Sequence, residues 1–316
     1  MTAVLVTGAT GFVGRNLCAQ LQSGGRDVRA ATRMPDGSLP CAAVPIGEIG
    51  ADTDWSAALA GREAVIHLAA HVHVMRGQAG RTAKEFDRVN VAGSEHLARQ
   101  AAQAGVRRFL FLSSVKVNGE TTSGRALVES EPAAPADAYG RSKAKAEHRL
   151  QAIAAQTGME LVIVRPPLIY GPGVKANFLK LLRTVDTGLP LPFASIDNRR
   201  SLVYVGNLVH ALDACLSHPA AANRTFFVSD DDDVSTPQLV REIAAALGKR
   251  PLLLPFPPAL LRRVGALVGR AEQIDRLTGS LQVDITAIKT ALGWKPPFSR
   301  RQGLEQTVAS YRQQFS

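Results

Sequence analysis

Cysteine is scarce in this chain of 316 residues, which has three scattered cysteines and no C-x-x-C pair. A disulfide scaffold is therefore excluded, and the cysteines are expected to be reduced thiols. Aromatic residues make up 5% of the chain, and no basic run is interleaved with them. The net charge of +10 therefore favours an anionic small ligand or a basic solvated surface, and we expect no nucleic acid partner.

Long apolar runs are also absent. The most apolar later stretch, 252–268, is interrupted by three prolines and two arginines, so it does not provide the roughly 20 apolar residues that a bilayer span needs. We expect a core-packing helix there and no stable membrane span, with a membrane-surface helix as the alternative. The first residues already form an apolar strand and leave no room for a secretory signal, so the expected location is cytoplasmic.

Short apolar runs alternate with helix-favouring stretches through the first two-thirds of the chain. The runs are rich in β-branched and aromatic residues and predict strands at 3–7, 28–32, 64–68, 107–113 and 161–165. Helices are predicted at 12–22, 84–104 and 138–156, each followed by a glycine. This alternation predicts an α/β fold of the Rossmann type, with a doubly wound parallel sheet.

Prolines and glycines break this alternation after residue 165. We therefore expect a dinucleotide-binding domain at 1–166, with return segments near 201–230. The remainder, 167–316, is expected to form mainly a smaller, discontinuous substrate-binding domain.

A glycine-rich segment, TGATGFVG at 7–14, follows the first predicted strand and opens the first helix. Glycine permits a tight turn, close approach of the backbone to a pyrophosphate, and close packing of helix on strand. The helix N-terminus adds N–H donors and a favourable dipole. The segment, with Gly8, Gly11 and Gly14, predicts a dinucleotide-binding loop.

The end of the second strand bears on the choice of cofactor. An acidic residue there would accept hydrogen bonds from the ribose 2′-hydroxyl of NAD, but this chain has Thr32 and Arg33 and no carboxylate until Asp36. A guanidinium at Arg33 can pair with a 2′-phosphate. The sequence therefore favours NADP(H), with NAD(H) as the alternative.

A tyrosine and a lysine four residues apart, Tyr139 and Lys143, share one face of a predicted helix. The neighbouring ammonium is expected to lower the tyrosine pKa, which makes Tyr139 a proton donor and acceptor. Ser114 follows the strand at 107–113, at the edge of the sheet where open α/β folds bind ligands. It can hydrogen-bond the reacting oxygen of a substrate.

These pieces occur together in one known family. The chain resembles the extended short-chain dehydrogenase/reductases of the nucleotide-sugar epimerase and dehydratase family. The matching segments are TGATGFVG at 7–14, VIHLAA at 65–70, VNVAGSEHL at 89–97, FLSSVKVNG at 111–119, YGRSK at 139–143, RPPLIYGPG at 165–173, RRSLVYVGNL at 199–208 and LGWKPP at 292–297. The resemblance covers nearly the whole chain in the family's order.

The resemblance implies a role for individual residues. Ser114, Tyr139 and Lys143 correspond to the catalytic triad, and Ser113 to a structural neighbour. Glu48 and Ile49 stand where an Asp-Leu pair usually meets the adenine. Other implied cofactor contacts are Phe12, Val13, Leu68, Ala69, Ala70, Asn90 and Pro166. Implied substrate contacts are His71, Ser114, Asn177, Arg200 and Arg276, the last as a substitute for an arginine that family members carry where this chain has Ser280.

The reaction is narrowed by two further positions. A 4,6-dehydratase of the family needs an Asp-Glu pair after the catalytic hydroxyl residue, and this chain has Val115 and Lys116 there. Hydride transfer at a sugar carbon remains. Segments around 113–120 and 165–178 resemble bacterial reductases of UDP-4-keto-6-deoxy-N-acetylhexosamines in O-antigen and capsule synthesis. The expected reaction is therefore NADPH-dependent reduction of the C4 ketone of such a UDP-sugar. The alternatives are a UDP-sugar 4-epimerase with retained NAD and a non-catalytic cofactor sensor.

Two weaker expectations complete the analysis. The resemblance implies a homodimer paired through the helices at 84–104 and 138–156, with Ala101, Ala144 and Ala152 permitting close approach. His71 and His73 would project to the same side of an extended segment. We expect packing or lining of the active site from them and no metal site.

Overall fold

A computed structural model of the chain describes residues 2–72, 83–267, 269 and 271–315. Within these residues, seven parallel strands form the main sheet in the order β3-β2-β1-β4-β5-β6-β9. Its strands are β1 Ala3–Thr7, β2 Asp27–Thr32, β3 Ala42–Pro45, β4 Ala64–His67, β5 Arg108–Leu112, β6 Glu160–Arg165 and β9 Arg224–Phe227. A separate parallel pair joins β7 Leu168–Tyr170 to β8 Leu202–Tyr204.

Helices connect the strands. They are α1 Phe12–Ser23, α2 Ser56–Leu59, α3 Ser94–Gln103, α4 Ala138–Thr157, α5 Ala176–Asp186, α6 Val205–Ser217, α7 Thr236–Ala246, α8 Pro258–Leu267, α9 Ala271–Thr278, α10 Thr286–Leu292 and α11 Arg300–Phe315. A π-helix, Phe86–Gly93, leads directly into α3, and a short 3₁₀ turn at Val115–Val117 follows β5.

The main sheet is buried on both faces. Side chains alternate across a strand, so Val4 and Val6 of β1 join one apolar cluster while Leu5 joins the other. Strands β5 and β6 alternate in the same way between these two clusters. A sheet covered on both sides by helices needs strands that are apolar throughout, which explains the continuous apolar runs of the sequence.

The strand order places the ligand-binding edge. The chain winds outward from β1 in one direction to β3 and returns to start β4 on the other side of β1. Open sheets of this kind bind ligands in the crevice at the carboxyl ends of the strands where the direction reverses. That crevice lies between the loops after Thr7 and after His67.

The predicted Rossmann-type parallel sheet is confirmed. Each of the five predicted strands is present, with ends shifted by at most one residue. Strand β3, the β7–β8 pair and the π-helix were not predicted from the sequence. The division into domains at 1–166 and 167–316 stays a prediction. In the described part of the chain, no helix is both long and apolar enough to cross a bilayer.

Candidate active site

The glycine loop follows β1 with the tight geometry that its sequence predicts. Gly8 has φ +68°, and a Cβ on it would lie 2.8 Å from the amide nitrogen of Ala69. A Cβ on Gly14 would lie 2.1 Å from the carbonyl oxygen of Gly8, so larger residues are excluded at both positions. Gly11 precedes α1 without a capping side chain, which leaves N–H groups of the first helical turn for an anion.

A buried chain of hydrogen bonds supports this loop from below. Ser94 Oγ donates to the Asn90 carbonyl at 2.7 Å, so it accepts from His67 Nε2, which lies 2.8 Å away. His67 Nδ1 then accepts from the Thr7 hydroxyl at 2.6 Å, and Thr7 Oγ1 accepts from the Ala69 N–H at 3.2 Å. Burial, and secondarily the charge of Lys143, lowers the pKa of His67 to about 3. The imidazole is therefore neutral and holds the ends of β1 and β4 together.

Asn90 joins three parts of the site. Its Oδ1 accepts from the His71 N–H at 2.7 Å, and its Nδ2 donates to the His71 carbonyl at 3.0 Å and to Ser142 Oγ at 3.0 Å. The His71 ring packs edge-on against Phe86 at 5.4 Å, and Phe86 packs against Tyr139 at 6.1 Å. Asn90 therefore ties the loop after β4 to the helix that carries the tyrosine.

The adenosine end of the predicted cofactor site is more balanced in charge than the sequence analysis assumed. Arg33 is 74% exposed and faces Glu48, with Nη1 3.6 Å from Oε1. Arg88 approaches the other oxygen of the same carboxylate, also at 3.6 Å. Thr32 is buried, and its Oγ1 has no hydrogen-bond partner among the described residues. Ile49 packs on Gly93, where a Cβ would lie 2.6 Å from Ile49 Cγ2.

Tyr139 and Lys143 lie on α4 as predicted, but their electrostatics differ from the prediction. Lys143 is buried, donates from Nζ to the Leu112 carbonyl at 2.8 Å, and lies 4.3 Å from the centre of the Phe111 ring. Burial lowers its pKa to about 7, against the opposing charge of Glu147. Burial and the nearby Asp137 carboxylate raise the pKa of Tyr139. The expected lowering of the tyrosine pKa by Lys143 was wrong, because the Lys143 amine donates to the Leu112 carbonyl.

The two serines after β5 have different surroundings. Ser114 starts the 3₁₀ turn, and its Oγ accepts from the Lys116 N–H at 3.3 Å. Ser113 is buried and donates a short hydrogen bond to the Glu147 carboxylate. Glu147 also forms a forked ion pair with Arg165, whose Nε lies 2.9 Å from Oε1. Ser113 is therefore occupied by contacts inside the fold, whereas Ser114 is half-buried, and its role as the catalytic hydroxyl stays a prediction.

The segment after Ser114 is fastened to the start of α4. Lys116 Nζ pairs with Asp137 and lies 3.0 Å from Glu120. Asp137 caps α4 by accepting from the Gly140 N–H at 2.7 Å. Burial raises the pKa of Asp137, but the hydrogen bonds from Lys116 and Gly140 and the charge of Lys116 together outweigh burial, and the pKa lies below its ordinary value. This ionised carboxylate connects the Ser114 turn to the helix of Tyr139.

Three of the five predicted substrate residues lie after residue 167, and the structure brings Arg200 and Arg276 together but leaves Asn177 apart. Arg200 Nη1 donates to the Arg276 carbonyl at 2.6 Å, and Arg276 Nε lies 3.6 Å from Glu120. Burial and the charge of Arg276 lower the pKa of Arg200. Asn177 is exposed in the first turn of α5. Within the described ranges, no hydrogen bond connects its side chain with either arginine.

The other predicted cofactor residues lie around the glycine loop and the Ser114 turn. Phe12 and Val13 begin α1, and the Leu68 N–H donates to the Thr7 carbonyl at 3.3 Å. Pro166 is buried, and its carbonyl accepts from the Val115 N–H at 3.0 Å. Ala70 follows Ala69 in the loop after β4 and is half-buried. His73 lies outside the described residues, and no group of three metal-binding side chains occurs in the described ranges.

His67 and Glu147 were not predicted from the sequence. Their hydrogen bonds hold the elements of the site together, although neither residue belongs to the predicted catalytic triad. The indication for Glu147 was its place four residues after Lys143, on the same helix face. His67 had the weaker indication of a polar residue ending an apolar strand. Both assignments needed the tertiary contacts, because their partners lie between 18 and 60 residues away in the sequence.

Comparisons with known proteins agree with this arrangement. A sequence model of the NAD dependent epimerase/dehydratase family matches residues 4–228. A UDP-glucose 4-epimerase of Vibrio cholerae is 46% identical, over 98% of this chain and 96% of the relative. A short-chain dehydrogenase/reductase superfamily protein from Agrobacterium tumefaciens with bound NAD superposes with a TM-score of 0.79 at 25% identity, covering 99% and 98% of the two chains. MoeE5 in complex with UDP-glucose and NAD gives 0.79 at 26% identity, covering 99% and 100%. The chain is therefore an enzyme of the NAD dependent epimerase/dehydratase family.

Proposed function

We propose that this enzyme is an NAD-dependent 4-epimerase of a UDP-hexose. The observation that carries the proposal is the placement of Ser114, Tyr139 and Lys143 beside a dinucleotide loop at one edge of the sheet. The similarity to the Vibrio cholerae UDP-glucose 4-epimerase supports epimerisation over the reduction of a 4-keto sugar, which the sequence analysis had favoured.

NAD fits the cofactor site better than NADP. The uncapped N-terminus of α1 suits a pyrophosphate, and the unpartnered Thr32 hydroxyl at the end of β2 is placed to meet the adenosine ribose. Arg33 is partly neutralised by Glu48, whose carboxylate would repel a 2′-phosphate held by that arginine. The solved relatives bind NAD, which supports the same choice.

The residues of the chain supply the proton chemistry of epimerisation. The glycine loop after β1 would hold a nicotinamide cofactor, which would supply the hydride acceptor and donor for C4 of the sugar. As a phenolate, which the charge of Lys143 would favour, Tyr139 takes the proton from the C4 hydroxyl as the ketone forms and gives it back when the hydroxyl is restored. Ser114 Oγ donates a hydrogen bond to the same oxygen, which stabilises the charge that develops on it. Atoms and charge balance because proton and hydride both return to the sugar.

Lys143 and Asn90 have supporting roles in this proposal. With a pKa of about 7, Lys143 is partly protonated at neutral pH. Hydrogen bonds from its ammonium group to a ribose hydroxyl would favour the charged form. Asn90 acts through position, because both its N–H groups already donate to His71 and Ser142. His71 lines the site through its packing against Phe86.

Arg200 and Arg276 are proposed to bind the diphosphate of the sugar nucleotide. Burial and, after it, the charge of Arg276 lower the pKa of Arg200, and a diphosphate bound by both guanidinium groups would offset that charge. Asn177 would need to approach from α5 to complete the same site. In this proposal the nucleotide lies against residues 167–316, the part of the chain predicted to form the substrate domain.

The test is interconversion of UDP-glucose and UDP-galactose by the purified protein, followed by nuclear magnetic resonance without added reductant. Epimerisation that stops in Tyr139→Phe supports the proposal. Stoichiometric oxidation of NADPH with a UDP-4-keto-6-deoxy-N-acetylhexosamine, without hexose interconversion, would select the reductase instead. Tight cofactor binding with neither activity would select the sensor.

We also retain the proposal of a homodimer through α3 and α4, with one change. Ala101 is fully buried within its own subunit and is unable to contact a second copy, whereas Ala152 is exposed. Ion pairs between Lys145 and Asp87 and between Arg149 and Glu95 lie on the same side. The interface would therefore be more polar than expected. Light scattering at micromolar concentration tests it.

A further inference from the structure

Helix α8 presents an apolar stripe to solvent. Leu260, Val264 and Leu267 are spaced by four and three residues and so share one face, and they are 44%, 44% and 87% exposed. The helix packs on the protein through a different face, where Leu261 and Gly265 are buried. Burial of α8 in its own subunit therefore leaves the stripe uncovered.

Positive charge accompanies this stripe. Arg262 and Arg263 are exposed, and α8 contains no acidic residue. Arg263 comes three residues after Leu260 and four before Leu267, so it borders the stripe directly. Arg262 points the other way and lies 3.3 Å from Asp275 of α9. The segment before the helix adds two exposed apolar residues, Leu252 and Leu254.

We propose that α8 docks on the surface of an anionic lipid bilayer. An interfacial helix buries its apolar face at the boundary of headgroups and acyl chains while its basic side chains reach the phosphates. Arg263 borders the apolar stripe, so its guanidinium group would lie at the level of the lipid phosphates. With ten residues, α8 lies on the membrane and does not span it.

A second copy of the chain fits the stripe less well. A two-fold contact uses the same patch on both subunits, so the Arg263 side chains of both copies would meet around one small apolar area. Like charges brought together at a desolvated contact are unfavourable. Anionic headgroups supply the opposite charge at that place.

Docking would also orient the substrate site. Helix α9 packs against α8, and its Arg276 carbonyl accepts the hydrogen bond from Arg200. Adjacent helices lie about 8–10 Å apart, so the two arginines proposed to bind the diphosphate would stand one helix away from the membrane surface. This last step rests on the proposed function, whereas the docking itself does not.

Vesicle binding by the whole protein tests the docking. We expect co-sedimentation with vesicles of phosphatidylcholine and phosphatidylglycerol, and little with phosphatidylcholine alone. A variant with Leu260→Gln, Val264→Gln and Leu267→Gln should lose at least about tenfold in affinity. Arg263→Gln should lose about fivefold on the anionic vesicles. Met34→Gln, which removes a similarly exposed apolar side chain elsewhere, is the control.

A fluorescent probe locates the contact. Both tryptophans of the chain, Trp55 and Trp294, are buried, so Val264→Trp adds an exposed reporter. Its emission should shift to shorter wavelength when anionic vesicles are added, and that of Met34→Trp should not. Circular dichroism and epimerase turnover in solution should match the wild type in the α8 variants, since α8 lies outside the catalytic residues.

Three results would overturn the proposal. One is a wild-type protein that does not bind anionic vesicles, or that binds neutral vesicles equally well. Another is vesicle binding that the α8 variants leave unchanged. The third is an oligomer in light scattering that dissociates in the variant with Leu260→Gln, Val264→Gln and Leu267→Gln, which would assign the stripe to a second copy. Failure of epimerisation with intact vesicle binding would reject the proposed function alone.

Discussion

Gly140 lies so close to Lys116 that a Cβ on the glycine would stand 2.7 Å from the lysine carbonyl oxygen. The residue after the candidate proton donor therefore touches the turn that begins with the candidate hydroxyl residue. The side chain of Lys116 also forms an ion pair with Asp137, the residue that caps α4, and so joins the same turn to the same helix. Together these contacts set the position of Tyr139 relative to Ser114.

Gly140→Ala should push α4 away from the Ser114 turn. We expect a loss of about 1–3 kcal/mol in unfolding free energy from overpacking, and at least a tenfold fall in turnover because the reacting groups separate. Urea denaturation and initial-rate kinetics measure both. Gly37→Ala is the matched control, since nothing lies within 4 Å of a Cβ there. Wild-type turnover in Gly140→Ala would disprove the positioning role of this contact.

Tyr139→Phe should lower turnover by about two to four orders of magnitude while leaving folding and NAD affinity near wild type, because only the hydroxyl that moves the proton is lost. Ser114→Ala should cost less, since the proton donor remains. Steady-state kinetics and NAD titration check both variants. If Ser114→Ala were as damaging as Tyr139→Phe, their proposed roles would be reversed.

Burial of Lys143 predicts a pH dependence of stability in the cofactor-free protein. The pKa of Lys143 is about 7 in the folded protein and near 10.4 in the unfolded chain. Between these two pH values the unfolded chain binds one more proton than the folded protein, so the free energy of unfolding rises with pH over that range. Lys143→Met removes this dependence. Its stability relative to wild type should therefore be highest below pH 7 and fall toward pH 10, by an amount on the order of 4 kcal/mol.

Urea titrations of both proteins across this pH range measure the effect. Lys145→Met on the same helix, where the lysine is largely exposed, is the control for removing a lysine from α4. A difference between Lys143→Met and wild type that does not change with pH would mean that the buried amine keeps an ordinary pKa.

Glu48 should determine the choice between NAD and NADP. We expect wild-type protein to prefer NAD, and Glu48→Gln to bind NADP about fivefold more tightly at low salt with little change for NAD. The gain should disappear in Glu48→Gln combined with Arg33→Ala, since the arginine is the group released from the ion pair. Isothermal titration at fixed ionic strength measures this. A wild-type preference for NADP would contradict the balance of charge assigned to this end of the site.

Arg165→Met should destabilise the protein by about 3–5 kcal/mol, because it leaves the buried Glu147 carboxylate without its partner. Adding Glu147→Leu should recover much of that loss. The exposed pair Arg301 and Glu305, 3.9 Å apart, is the control, and Arg301→Met should change stability by less than about 1 kcal/mol. Chemical denaturation of the single and double variants measures the coupling, and full additivity would argue against a buried pair.

Local pattern was sufficient for the sheet and for the residues of the glycine loop. Strands buried on both faces must be apolar throughout, and the turn after β1 admits only glycine at Gly8 and Gly14. Both features can therefore be predicted from residues that are close together in the sequence. The Tyr139 and Lys143 spacing depends on one helix alone, and it was predicted for the same reason.

The charge state of the site required the tertiary structure. Whether Lys143 acts on Tyr139 depends on the Leu112 carbonyl at the end of β5, which accepts a hydrogen bond from the lysine. Whether Arg33 is available to a phosphate depends on Glu48, which follows β3. The neutral tautomer of His67 likewise depends on Thr7 and Ser94. Electrostatic interactions fall off with distance in space and not along the chain. The amino-acid sequence therefore determined which chemical groups the enzyme has, and only the fold decided which of them face one another.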